Sequence, residues 1–320
     1  MIPFFSKAKT ARKMMRCSMN ARFVILMLLA VLFASMAAST AQVSTDQLKQ
    51  LMAKSAENLS SYTYSRSADS FALYNNSSLE KKLEVFKTTE GKVDLRQMSA
   101  WWASKLATNE DSGVLNWQSY FANGSSYLNI GDNWTRIDFN DPSRIKYDFD
   151  ELAGQIALIQ NSDMVLDSSE NISGKDYFKL VGKPNETISR AIIARQILSA
   201  LSTTPIQLPE NLTNQKIDID RSDLINKSII VITAWISKDD SLLKRLDINS
   251  SSTLTPQILN ISSPDFKIQT SVNESTIYSN FGSQVKIELP KEAQNESSLL
   301  KGAAWSRAVM GSIISANDMP

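Results

Sequence analysis

Between residues 243 and 289 apolar and polar side chains take turns along the chain. Phe266, Ile268, Thr270 and Val272 alternate with Lys267, Gln269, Ser271 and Asn273, and Leu246 and Ile248 alternate with Arg245, Asp247 and Asn249. Val285, Ile287 and Leu289 alternate in the same way with Lys286 and Glu288. A period of two belongs to an extended chain, whose successive side chains leave opposite faces. One covered face and one wet face mark an antiparallel sheet, since parallel strands are covered on both sides. Ile248, Phe266, Ile268 and Val272 are therefore expected inside, with Asn249, Lys267, Gln269 and Asn273 outside. The stretch Ser228–Ile236 is apolar on both phases and reads as a central strand.

The same signals extend the sheet toward the N-terminus. Tyr62–Tyr74, Leu83–Thr89, Val93–Trp101, Val114–Phe121, Ser126–Ile130 and Trp134–Phe139 are strand-like, separated by Asn-Asn-Ser, Glu-Gly, Asn-Gly-Ser and Gly-Asp-Asn turn signals. Helices are expected at three places. Ser44 and Gln47 have capping-box spacing ahead of Leu48, Leu51 and Met52. Asp148 can cap a helix reaching Gln160, and Ile188–Leu201 carries an apolar stripe at Ile188, Ile192, Ile197, Leu198 and Leu201. The expected class is α+β. After Pro290 a polar stretch leads into Leu299–Ile314, an amphipathic segment that reads as a helix docked on the body.

The first 41 residues read differently. They hold six Lys/Arg and no acid, and end in an uncharged run, Phe23–Ala41, that is apolar first and small-residued last. Basic, apolar, then small residues is the layout of a cleavable signal peptide, with a cut before Gln42. An uncleaved signal anchor is the alternative, because the run is long enough to span a bilayer. In either case the body lies on the far side of the membrane. Sequons support export independently: 13 of the 22 Asn residues start N-x-[ST], where Ser/Thr frequency alone would give about four. Asn58, Asn75, Asn123, Asn133, Asn171, Asn249 and Asn273 are the candidate glycosylation sites, and the last two fall on the polar phase of their strands.

Composition removes whole classes of chemistry. There is no His, and the one Cys, Cys17, lies in the leader. Imidazole-based nucleophile triads and the usual zinc sites are thereby excluded, and the body has no disulfide. Without the leader the chain has 28 basic and 33 acidic residues, which leaves no footprint for nucleic acid. No G-x-G occurs, so dinucleotide and phosphate loops are absent. Asp218, Asp220 and Asp223 lack the turn glycine and distal Glu of a calcium loop and read as a solvated loop. Asp239-Asp240 reads as a hairpin turn. No catalytic residue, metal site or cofactor is expected.

Aromatic residues remain. Trp101, Trp102, Trp117, Trp134 and Trp235 lie on strand-like stretches, with Phe121, Tyr127 and Phe139 nearby. They either form a core against the helices or line an apolar ligand cavity under a curved sheet.

Four stretches carry a resemblance to a known superfamily: Tyr127–Arg136 (YLNIGDNWTR), Lys175–Pro184 (KDYFKLVGKP), Ala234–Leu246 (AWISKDDSLLKRL) and Ile277–Pro290 (IYSNFGSQVKIELP). Over about residues 43–292 the chain resembles the LolA/LppX-like superfamily of periplasmic lipoprotein carriers and mycobacterial lipid-carrier lipoproteins. The resemblance implies a half-barrel of antiparallel strands, its concave face covered by helices around a hydrophobic cavity, and carriage of lipid or lipid-modified protein. Dense sequons, the lack of a lipobox and the long basic leader suggest an archaeal cell-surface member. The expected layout is a leader over 1–41, a β-rich domain over 42–292, and a polar linker with an amphipathic helix over 293–320. The expected partners are a lipid or other hydrophobic molecule and, on the alternative reading of a non-catalytic surface protein with a filled core, envelope proteins. Membrane contact is expected only through an uncleaved leader.

Overall fold

The computed structural model describes residues 43–76, 79–110, 113–131, 133–138, 149–193, 228–259 and 266–294. From Thr45 onward they belong to one compact unit. The leader, Phe139, Asp148, the Asp218 cluster and Leu299–Ile314 lie outside the described residues.

Eleven strands form one open antiparallel sheet in the order β6-β5-β4-β3-β2-β1-β11-β10-β9-β8-β7. The strands are β1 (Ser61–Asn76), β2 (Glu80–Asp94), β3 (Ser99–Thr108), β4 (Val114–Ala122), β5 (Ser125–Ile130), β6 (Asn133–Asp138), β7 (Ser162–Ile172), β8 (Lys175–Pro184), β9 (Ile229–Ser237), β10 (Leu243–Leu254) and β11 (Phe266–Ser279). Two meanders build it. One runs outward from β1 to β6, the other inward from β7 to β11, so the first and last strands pair at the centre. Helices α1 (Thr45–Glu57) and α2 (Glu151–Gln160) pack together and against β7. A third helix, α3, covers 186–193, and α4 (Pro256–Leu259) and α5 (Lys291–Gln294) are single turns. This is the α+β class and the open curved sheet expected.

Local chemistry explains the helix positions. Asp150, rather than Asp148, caps α2, its carboxylate accepting from the Ala153 N–H. Asn185 caps α3 by accepting from Ile188 N–H at 3.0 Å. Helix α1 buries Leu48 and Met52 and leaves Leu51 exposed. It also protects a sheet edge. Thr45 Oγ1 accepts the Leu166 N–H at 3.2 Å, and Lys49 Nζ donates to the Ser162 carbonyl at 2.6 Å, so backbone groups of edge strand β7 are paired.

The alternation of β10 and β11 holds. Ile248 and Ile268 are buried, Asn249, Lys267 and Asn273 are exposed, and Gln269 and Val272 are intermediate. Strand β9 lies inside the sheet, two places from the β7 edge.

Three sequence readings are corrected. Glu90-Gly91 is not a turn: β2 runs straight through it, and the chain reverses at 95–98 instead. Gly91 is there because the Tyr64 ring lies over it; a Cβ at this position would sit 2.1 Å from the ring. Residues 283–290, which include the Val285–Leu289 alternation, form no strand and join no ladder among the described residues. The hairpin β7–β8 fills 162–184, between two helices, where no strand was read from periodicity.

Candidate functional site

Helix α2 defines the inner face of the sheet. Its N-terminus is held by two side chains of β1. The Tyr62 hydroxyl donates to Asp150 Oδ1 at 2.8 Å and accepts from the Leu152 N–H at 2.9 Å. Four residues along, on the same face, the Arg66 guanidinium meets Glu151 of α2, Glu274 of β11 at 3.3 Å, and Thr276 Oγ1 at 3.2 Å. Gln155, one helical turn after Glu151, donates to the same carboxylate at 2.7 Å. Arg66 is 5% exposed, so this is a buried ionic cluster in which one cation faces two carboxylates. Burial disfavours the charge on Arg66, but Glu274 and the surrounding tyrosines outweigh it and hold its pKa above the ordinary arginine value.

Around the cluster the inner face is packed with rings. Tyr62, Tyr64 and Tyr278 are mutual neighbours, with Tyr62 and Tyr278 edge-on at 5.9 Å between centroids. Burial pushes the hydroxyls of all three above the ordinary tyrosine pKa, Tyr62 and Tyr278 furthest; Asp150 adds to the effect at Tyr62, while Arg66 opposes it at Tyr64 and Tyr278. Among the described residues the buried Tyr278 hydroxyl and Gln155 Oε1 have no hydrogen-bond partner. On β4, Phe121 stacks on Phe149, the residue before the α2 cap, at 5.1 Å.

Further along the same strands the inner face changes. The inward positions of β1 become Ala68, Ser70 and Ala72 before closing at Tyr74. The register sets Leu83, Val85 and Lys87 beside them on β2, and Thr270, Val272 and Glu274 on β11. Ser250, Ser252 and Leu254 of β10 and Ile230 of β9 continue the floor. Ala68, Ser70, Ala72, Leu83, Val85 and Val272 are half-buried, while Ser252 and Thr270 are buried and bonded to each other at 2.6 Å. Around Ser70 and Ala72 the lining is therefore apolar with isolated hydroxyls, on a floor of small side chains, while Lys87 and Glu274 bring charge beside Ala68.

The candidate ligand residues divide between the faces. Trp117 and Phe121 are buried on the inner face, where Lys87 Nζ lies 5.1 Å from the Trp117 ring. Trp101, Tyr127 and Trp134 project from the opposite, outer face. Trp101 is beside Tyr120, Tyr120 beside Tyr127 and Tyr127 beside Arg136, and the Trp134 ring is 5.8 Å from that of Tyr120. Trp235 is also on the outer face, its indole N–H donating to Glu170 at 2.9 Å between Lys179 and Arg245. These four therefore lie on the opposite phase from Trp117 and Phe121, and Tyr127 and Trp235 are buried there. Sequence reasoning missed Tyr62, Arg66, Glu151 and Glu274. One signal was available: Arg66 is a charge on the covered phase of β1, in line with Tyr62, Tyr64 and Ala68.

Among the described residues no group of three His, Cys, Asp or Glu could hold a metal ion, and no helix is long and apolar enough to cross a membrane. Among the candidate sequons, Asn58, Asn75, Asn123, Asn133, Asn171, Asn249 and Asn273 are all exposed. Asn123 adopts a positive φ of 54° in the β4–β5 turn, which Asn tolerates better than most residues.

No protein-family model and no curated protein matches the chain. Solved structures do. The chain is similar to LprF from Mycobacterium bovis, at 13% identity and a TM-score of 0.37, with 78% of this chain and 99% of that one covered. It is similar to the lipoprotein LppX from Mycobacterium tuberculosis at 12% and 0.34, covering 77% and 100%. A LolA superfamily protein from Nitrosomonas europaea follows at 11% and 0.23, covering 79% and 98%. Likenesses of this size fix neither ligand nor role, which must come from the side chains themselves.

Proposed function

We propose that this is an extracytoplasmic, N-glycosylated carrier that holds a hydrophobic ligand, a lipid or a lipid-modified chain, against the inner face of the sheet. The observation that supports the reading most is the run Ala68, Ser70 and Ala72 on the longest strand, half-buried and flanked by Leu83, Val85 and Val272. Long strands with small inward side chains leave depth above the sheet, and apolar flanks favour an apolar occupant over water. The isolated hydroxyls of Ser70, Ser252 and Thr270 suit a ligand with some polar character. The role is binding, without catalysis, and the leader supplies the membrane attachment if it stays uncleaved.

Native mass spectrometry of protein purified from its own membranes tests this. A co-purifying lipid is expected, and it should disappear in the Ala72→Phe variant. Protein that emerges empty and binds no fluorescent fatty acyl probe would refute the reading. The half-buried outer-face pair Trp101 and Tyr120, beside exposed Lys92, favours a second reading, an envelope protein that contacts another protein. Cross-linking on intact cells distinguishes it by capturing a stable partner.

A further inference from the structure

We infer that Asn249 and Asn273 form one glycan position supplied by two sequons, so that no molecule carries a glycan on both. The inference rests on the reading above that the sequons are used. Asn249-Ser250-Ser251 lies on β10 and Asn273-Glu274-Ser275 on β11, and the register sets the two asparagines directly opposite each other. Both are exposed on the outer face. Directly opposed residues on antiparallel strands have Cβ atoms about 4.5–5.5 Å apart, and their side chains stand nearly parallel, roughly perpendicular to the sheet.

Glycosylation joins Asn Nδ2 to the anomeric carbon of a phosphate-activated glycan. That carbon's bond to the phosphate breaks, the phosphate leaves with the bonding pair, and one amide proton is released. The product is a pyranose ring held a short amide away from the strand. With its ring substituents it is broader than the gap between the two side chains, so a second ring cannot stand beside it while the β10–β11 ladder is intact. One glycan has room. The outward neighbours are small: Ser251 and Ser271 on one side, Asp247 and Ser275 on the other, with Val231 beyond Asn249 on β9 and Asp69 beyond Asn273 on β1. Asn58, Asn123 and Asn171 lie in or beside separate turns and face no such conflict.

The test counts glycans by intact mass on protein secreted by its own host. Wild type, Asn249→Gln and Asn273→Gln are expected to carry the same number, and the double variant one fewer. Ser251→Ala and Ser275→Ala, which abolish the two sequons without touching the asparagines, should reproduce the single-variant counts if a Gln variant fails to fold. A single variant that loses one glycan overturns the inference, because both sites were then filled. A double variant with an unchanged count overturns it as well, because neither was used. Wild type at its bare polypeptide mass refutes the glycosylation reading itself, an outcome distinct from glycans present only at the turn sites.

Discussion

Along β1 the inner face changes character within a few residues. From Tyr62 to Arg66 it is crowded with rings and a buried ionic cluster, and it grips a helix; from Ala68 to Ala72 it offers methyls and a hydroxyl, half-buried. Both stretches have the same backbone, the same partner strands and the same alternation, so the difference lies in the side chains, in their volume and their charge. The crowded end spends its volume on self-contact and fixes α2. The sparse end is only half-covered by the described residues. Under the proposed function, one sheet serves as core at one end and as binding surface at the other.

The sharpest way to break this comparison is to remove the cation of the crowded end. Arg66→Met leaves Glu151 and Glu274 buried without their counter-charge, and a loss of about 3–5 kcal/mol is expected in urea unfolding. A near-neutral result would mean that α2 is held by packing alone. Next come matched insertions. Ala100, on the inner face at 1% exposure beside Val93 and Phe121, should tolerate Phe poorly, at about 1–3 kcal/mol. Ala72→Phe at the sparse end should cost less than about 0.5 kcal/mol. Equal costs in the same assay would erase the distinction between the two ends.

The tyrosines give a third test, in alkali. Their pKa values are raised in the fold, so the stability they contribute is whole below about pH 10, where both states are neutral. It is lost as pH rises through the range in which the unfolded chain ionises first. Each should contribute a slope of about 1.4 kcal/mol per pH unit there. Tyr278→Phe removes a hydroxyl that has no hydrogen-bond partner among the described residues, so it should reduce the alkaline slope by that amount and leave stability at neutral pH nearly unchanged. The smallest effect is expected on the outer face, where Lys267→Ala should change stability by no more than about 0.5 kcal/mol.

How much of this the sequence disclosed depends on what periodicity can carry. It disclosed the faces of β10 and β11, because alternation there is strict. It could not say which face of the sheet a given phase belongs to, since that is set by cross-strand register. Hence Trp101, Tyr127, Trp134 and Trp235 were grouped with Trp117 and Phe121, although they point the other way. Gly91 read as a turn because a glycine between two strand-like runs usually is one, and the ring that requires it comes from another strand. The Arg66 cluster was invisible for a related reason. Its members, Arg66, Glu151 and Glu274, are far apart in sequence, and each alone looks like an ordinary surface charge.

The pairing of β1 with β11 has a consequence for the life of the chain before it is a protein. Tyr64 meets Tyr278, so the central ladder cannot begin to close until the last described strand, β11, is being made. Until then β1 presents a bare sixteen-residue edge, the longest in the molecule. A chain that leaves the ribosome N-terminus first thus stays unable to complete its sheet for most of its synthesis. Any truncation before Phe266 leaves that edge open for good, and its expected product is an aggregate rather than a smaller domain.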